Sequence, residues 1–304
     1  GKELWRLNVR NVKQEQIDTL NAPEKLRFAL GEAIPFELLA VRPWTGHCVV
    51  AERYQDRRVF LAGDAAHLNW PAGGFGMNTG IGDAVDLGWK LAARLQGWGG
   101  AHLLESYTTE RKPIAMINVN EAAEMRASFD NQTPFSPAIS DDTEEGRQLR
   151  DKARAAILRT RAKEFQHDSA GIELGYRYED SPICVRDGTQ APPLDHGLYV
   201  PSTWPGARAP HIWLEDGRSS LDLFGKGFIL MNLSGTITST NTITQAAHSV
   251  GLPLQMITID NPQVHDTYER NFVLVRPDGH VAWRGDELPA SAAVIIDRVR
   301  GALS

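Results

Sequence analysis

With only two cysteines, Cys48 and Cys184, the 304-residue sequence cannot staple itself with a disulfide framework, so a reducing compartment, by default the cytoplasm, is expected. No apolar stretch approaches the roughly 20 residues that span a bilayer, and no charged-then-apolar leader opens the chain, so no membrane partner is expected. Basic clusters are missing and the net charge is −6, which argues against nucleic acid. No metal-ligand set is expected, and the lack of a Cys-x-x-Cys pair removes dithiol redox chemistry. What the chain does have is length and apolar content. With 42% hydrophobic side chains it can bury a core and build two domains or parts of them.

Residues 59–91 carry the most chemical information. Val59 to Ala62 form an apolar run suited to a strand covered on both faces, and Gly63 lets the chain turn where that strand ends. Asp64 then sits at a carboxyl end, where ligands bind in open α/β sheets and a carboxylate can accept hydrogen bonds from sugar-like hydroxyls. Ala65 and Ala66 leave it room. Pro71 is followed by Gly73, Gly74, Gly76 and Gly80, enough glycine to bring bare backbone N–H groups against a ligand. The Gly73-Gly74-Phe75-Gly76 cluster follows the wrong kind of element for a dinucleotide fingerprint.

A helix comes next. Ile81, Ala84, Val85, Gly88, Leu91, Ala92 and Leu95 recur at helical spacing, the first turn lies near Met77 to Thr79, and Gly97 is the stop. Its amino end offers unpaired N–H groups and about half a positive charge, which favours an anion. Asp83 and Asp86 read as first-turn residues that complement the helix dipole. His67 reads as a satisfied structural histidine rather than a general base.

Residues 59–95 resemble the second FAD-binding motif of the class A flavoprotein monooxygenases, the single-component aromatic hydroxylases. The likeness rests on Gly63, Asp64, Ala65, Ala66 and His67, on Pro71, Gly73, Gly76, Met77 and Asn78, and on Asp83, Ala84 and the Leu-Gly-Trp-Lys-Leu-Ala run at 87–92. Pro205-Gly-Ala-Arg-Ala-Pro-His211, Ser220-Leu-Asp-Leu-Phe224 and the stretch from Val273 to Trp283 resemble the C-terminal thioredoxin-like domain of the phenol, dichlorophenol and polyketide hydroxylase branch.

The resemblance implies an FAD cradle built from Gly63, Asp64, Ala65, Pro71, Gly74, Gly76, Met77 and Asn78. In it Asp64 would hold the ribityl chain, and the backbone of Met77 and Asn78 would bind the pyrimidine end. Pro71 would lie at the flavin edge near the reacting carbon. Arg42 and Trp44 would stand close to flavin or substrate, the alternative being a surface arginine and a core aromatic. The implied reaction is ring hydroxylation of a phenolic or polyketide substrate: NADH or NADPH reduces FAD, and O2 adds at the flavin C4a carbon before its terminal hydroxyl is delivered to the ring. Epoxidation, Baeyer–Villiger insertion and a non-catalytic dimerisation or scaffold role are the alternatives. Relatives also open with a strand–G-x-G-x-x-G–helix unit that this sequence lacks. The expectation is therefore a carboxy-terminal portion of a longer enzyme, or a chain completed by a partner, that binds FAD poorly and is inactive alone.

The expected fold is α/β, a partial FAD-binding domain of p-hydroxybenzoate hydroxylase type followed by a thioredoxin-like domain. Residues 1–55 end a central substrate domain, with a strand through Trp5, Leu7 and Val9, a helix from Ala22 to Gly31 and a strand from Phe36 to Val41. Residues 56–180 complete the FAD-binding domain, with helices over 105–126, interrupted at Lys112-Pro113, and 145–164, and a loop or lid over 132–146 between them. Five prolines between Ser181 and Pro205 suit a connector. Residues 181–304 follow a strand, helix, strand, hairpin, helix order, the hairpin turning at Pro277-Asp278-Gly279. That domain is expected to pack or dimerise, and Arg208 and His211 within it to be structural.

Overall fold

A computed structural model of the chain describes residues 4–31, 34–130, 136–160, 169–235 and 241–303. It divides into two units at Gly46/His47.

In the first unit the helix is as the sequence dictates. The Asn21 side chain accepts from the Glu24 N–H (3.2 Å), Pro23 occupies the first turn, and α1 (Ala22–Leu30) ends where Gly31 turns left-handed at φ +71°. The expected strands do not form. Residues 4–10 and 36–41 pair with no neighbour among the described residues, and Trp5 is 77% exposed. An alternating apolar pattern becomes a strand only when another strand meets its N–H and C=O groups.

The second unit opens with β1 (Val49–Val50), β2 (Gln55–Asp56), β3 (Val59–Phe60) and β4 (His67–Leu68), in which β1 pairs with β4 and β2 with β3, both antiparallel. The apolar run 59–62 is therefore a two-residue hairpin arm rather than a strand covered on both faces, and Val59 is 65% exposed. Helices α2 (Phe75–Leu95), α3 (Ser106–Asp130), α4 (Glu144–Thr160) and α5 (Ala170–Glu173) follow. Pro113 was expected to break or kink the second of these, yet α3 is one element. Tyr107, Glu110 and Arg111 before the proline and Ile114 and Ala115 after it are all buried, so packing on both sides carries the helix across the missing N–H. Of the expected loop, residues 131–135 lie outside the described residues, as do 161–164 of the following helix.

The chain then builds β5 (Phe228–Asn232), α6 (Asn241–Ser249), β6 (Leu254–Thr258), α7 (Pro262–Tyr268), β7 (Phe272–Val275), β8 (Val281–Gly285) and α8 (Ala292–Val299). The sheet order is β6-β5-β7-β8, with β5 and β6 parallel and the β7–β8 hairpin antiparallel, which is the thioredoxin arrangement. The central strands β5 and β7 are covered on both faces and are apolar except at Asn232, whereas the edge strand β6 carries Gln255 and Thr258 and stays partly exposed. Phe228, Leu230, Phe272 and Leu274 enter one core, while Ile229, Met231, Val273 and Val275 enter the other.

The first core is shared with α2. Ala93, Trp98 and Leu103 lie in it with Phe228, Ile296 and Val299; Trp89 and Trp98 stack at 6.3 Å, and Phe228 meets both edge-on at 6.1 and 6.2 Å. Where the chain leaves α2, the Gly100 N–H donates to the Arg300 carbonyl at 2.6 Å and the His102 N–H to the Gly301 carbonyl at 2.9 Å. A Cβ on Gly100 would fall 2.3 Å from the Ala302 nitrogen, so only glycine permits that approach. Between the two halves, the proline-rich segment has no helix or strand but is pinned to the sheet, the Val185 N–H donating to the Ala282 carbonyl at 2.7 Å.

Candidate cofactor site

Gly63, Asp64 and Ala65 form a single 3-10 turn directly after the β2–β3 hairpin, and this turn packs against the beginning of α2. Contact is close because both sides are glycine: a Cβ on Gly80 would lie 3.2 Å from the Gly63 Cα, and Gly63 itself has φ +58°. The loop between is equally constrained. The Ala72 N–H donates to the Trp70 carbonyl at 2.7 Å, and Gly73 and Gly74 are left-handed at φ +71° and +74°, a conformation that costs a side chain-bearing residue about 1–2 kcal/mol. Gly74 is the N-cap of α2 and supplies no side chain to its first amides. The Asn78 side chain braces this end by donating to the Gly74 carbonyl at 2.9 Å.

Beneath the turn lies a buried polar cluster. One oxygen of Asp83 accepts from the Gly63 N–H (3.0 Å) and from His67 Nε2 (2.8 Å); the other accepts from Arg111 Nε (2.9 Å). A carboxylate only accepts, so Nε2 is the protonated imidazole nitrogen. Burial alone would raise the Asp83 carboxyl, but the His67 hydrogen bond and the Arg111 charge outweigh it and hold the group below its ordinary value. His67 is 1% exposed, which suits a structural role and not a base in contact with substrate. Asp83 and Asp86 do not serve the helix dipole. The helix starts at Phe75, so both sit beyond its first two turns, fully buried in ion pairs.

Of the residues expected at a cofactor, the structure puts Asp64, Ala65, Pro71, Gly74, Met77 and Asn78 at the exposed side of the turn and helix start, with Gly63 and Gly76 half-buried among them. Arg42 and Trp44 belong to the first unit, where Trp44 is 66% exposed and both lie outside regular structure. The site fits a flavin on three observations. Cβ atoms built on Gly74 and Gly76 meet nothing within 4 Å, α2 presents its first amides without a side-chain cap, and the Asp64 carboxylate is exposed at the adjoining turn with no ion pair among the described residues. Sequence reasoning missed Arg111, Thr79, Asn118 and Tyr178, which tie the site together from below. No apolar periodicity marks a charged side chain that a helix buries.

The fold and site define a flavin-binding protein, and comparison with known proteins agrees. Residues 5–122 match the family model for the FAD binding domain, and residues 202–302 match the model for the aromatic-ring hydroxylase C-terminal domain. The chain belongs to the FAD-dependent aromatic-ring hydroxylase family, class A of the flavoprotein monooxygenases. It is 38% identical over 269 residues to the FAD-dependent monooxygenase apdD of Emericella nidulans, covering 83% of this chain and 42% of that protein. Among solved structures, the rebeccamycin biosynthetic enzyme RebC with reduced flavin superposes with a TM-score of 0.83 at 42% identity, covering 94% of this chain and 53% of that one. The ternary complex of aklavinone-11 hydroxylase with FAD and aklavinone gives 0.72 at 30% identity, covering 96% and 52%. The chain spans about half the length of the relatives it matches.

Proposed function

We propose that this chain carries the flavin end of an NAD(P)H- and O2-dependent monooxygenase that hydroxylates an aromatic ring of phenolic or polyketide type. The observation that carries the reading is the pairing of an open, uncapped helix start at Gly74–Asn78 with an exposed carboxylate at Asp64 on the turn packed beside it. Its support by likeness is aklavinone-11 hydroxylase, solved with FAD and aklavinone, and RebC, solved with reduced flavin.

Bound there, FAD would supply hydride acceptance from NAD(P)H and activation of O2. The chain's own residues do the rest. Asp64 would accept hydrogen bonds from ribityl hydroxyls, and the amides of Gly76, Met77 and Asn78 would donate to the pyrimidine edge. The positive end of α2 would favour the negative charge of a reduced isoalloxazine held there. Pro71 would give a stiff wall at the ring edge. Arg42 and Trp44 are assigned to the flavin or substrate side on the strength of the family motif alone.

The site is completed by a segment outside these 304 residues, or by a partner chain. Met77, Ile81 and Val85 recur every four residues along α2 and are 75%, 53% and 50% exposed, an apolar stripe of the kind a neighbouring element covers. Two free cysteines, Cys48 and Cys184, suit a reducing, cytoplasmic setting.

FAD titration tests the reading. The 304 residues alone should bind FAD weakly, and a longer protein containing them should hold it tightly and oxidise NAD(P)H when offered phenols or polyketides. Asp64→Ala in that longer protein should weaken FAD binding by about 1–3 kcal/mol, the usual cost of an unmatched polar contact. Undiminished flavin retention would remove Asp64 from the site.

A further inference from the structure

Arg111 bonds in three directions from the middle of α3. Its Nε donates to Asp83 Oδ1 at 2.9 Å, its Nη2 to the Thr79 carbonyl at 3.1 Å, and its Nη1 to the Tyr178 hydroxyl at 3.2 Å. The side chain is 1% exposed. Space for it exists because Gly82 has no side chain, since a Cβ there would sit 2.6 Å from Nη2. Two of the three bonds reach the two halves of the cofactor cradle. Asp83 holds the Gly63 N–H of the turn and His67 of β4. Thr79 belongs to the start of α2, where its hydroxyl donates to the Phe75 carbonyl at 2.7 Å and accepts from Asn118 at 2.7 Å.

The third bond leads away from the cradle. Tyr178 is buried and lies flat on His280, ring centroids 4.3 Å apart and planes inclined by 28°, with the Arg276 guanidinium 5.2 Å from its ring centroid. Arg276 and His280 flank the turn of the β7–β8 hairpin, and the Tyr178 N–H donates to the Gly206 carbonyl at 2.9 Å. The phenol is thus fixed to the thioredoxin-like sheet, and its hydroxyl is the hydrogen-bonding handle on Arg111, beside the Tyr176 ring, which lies 5.6 Å from the guanidinium and 5.4 Å from His280.

We propose that Arg111 is a positioning residue that couples docking of the thioredoxin-like domain to the geometry of the flavin turn, with the Tyr178 hydroxyl as the contact between them. A guanidinium suits this role because its donors sit in a rigid planar fork, so fixing one nitrogen fixes the directions of the others. Releasing Nη1 lets the fork rotate about the Asp83 and Thr79 bonds, and the Gly63 N–H loosens with it. The domain without redox cysteines therefore serves the cofactor site mechanically. The coupling concerns the flavin in so far as the proposed function holds, and the experiment below separates the two.

Amide hydrogen exchange on the 304-residue chain provides the test, with Tyr178→Phe as the variant. Phenylalanine keeps the stack on His280 and removes only the hydroxyl. Exchange at the Gly63 amide should accelerate by on the order of fivefold to tenfold, as expected when one buried hydrogen bond is lost. The control is Tyr268→Phe, which removes another buried phenol bond beneath the same sheet, from the Tyr268 hydroxyl at the end of α7 to the Pro210 carbonyl at 2.7 Å. It should lower the melting temperature at least as much while leaving Gly63 exchange unchanged. Unaltered Gly63 exchange in Tyr178→Phe, or equal acceleration in both variants, overturns the coupling. In a parallel arm, excess FAD should slow exchange at Gly76, Met77 and Asn78 in the wild type, and less so in Tyr178→Phe. No protection in the wild type counts against the flavin reading while the Gly63 comparison still decides the coupling. Equal protection in both proteins means that the coupling does not reach the cofactor.

Discussion

Arg276 of the β7–β8 hairpin grips Glu110 of α3 with two hydrogen bonds, Nη1 to Oε1 at 2.6 Å and Nη2 to Oε2 at 2.9 Å, and all four atoms are shielded from water. The same guanidinium reaches Asp86 of α2 at 3.0 Å and Asp278 at 2.6 Å, and Lys90 closes the ring on Asp86 (2.7 Å) and Glu110 (2.6 Å). Two cations thus hold three carboxyl groups drawn from both halves of the unit. Removing one partner from such a cluster strands charge in a medium that cannot solvate it. Arg276→Met should destabilise the chain by about 3–5 kcal/mol, far beyond what the lost packing of a surface arginine would cost. Urea unfolding reads this directly, and a loss under 1 kcal/mol would mean that the cluster is hydrated.

The charge imbalance has a pH signature. Burial pushes the Asp86 carboxyl up to about 8, with Glu110 nearby adding to the effect and Lys90 and Arg276 only partly opposing it. Glu110 goes the other way: burial would raise it, but Arg276 and Lys90 prevail and hold it at about 2. A carboxyl whose folded value is raised binds its proton more tightly in the fold. Its stabilisation is complete below the unfolded value of 3.8 and is lost as pH climbs toward about 8. Depressed groups such as Glu110 and Asp83 act oppositely, and their contribution disappears as pH falls below their unfolded values of 4.5 and 3.8. Stability should therefore peak near pH 5 and decline toward pH 8 with a slope of at most about 1.4 kcal/mol per pH unit. Asp86→Asn, which needs no extra proton, should flatten that decline in thermal melts run from pH 5 to 8.

The sequence revealed the elements that obey local rules and concealed those that depend on distant partners. Asn21, Pro23 and Gly31 delimit α1, and the apolar strands with the Pro277-Asp278-Gly279 turn lay out the four-stranded sheet, because caps, turns and core strands are each decided within a few residues. Helix α7 passed unnoticed: it has seven residues, too few for periodicity to register. Around the site, Gly63, Gly73, Gly74 and Gly80 were legible because left-handed backbone or close approach demands glycine. Arg111, Glu110 and Arg276 were not, since a charged side chain looks alike in a sequence whether water or a buried carboxylate receives it. Asp83 and Asp86 were misread for the same reason. Trp5, Leu7 and Val9 alternate as a strand should, but a ladder needs two strands, and one sequence pattern describes only one of them.

Ile81 and Val85 give a test of what covers the apolar stripe on α2. Both are about half exposed in this structure and lie one turn apart on the flank that begins at the cofactor turn. In the 304-residue chain a carboxylate at either position remains in water, so Ile81→Glu and Val85→Glu should each change stability by no more than about 0.5 kcal/mol, the range for surface sites. In a longer protein whose additional segment packs on this flank, the same charges would be buried without partners. FAD retention should then fall along with stability, because the cofactor would lie between the two parts. Parallel melts and flavin spectra of both lengths decide the matter. Equal tolerance in the long and short forms would show that the stripe faces water in both, and the completing segment would have to lie elsewhere around Gly63 and Gly74.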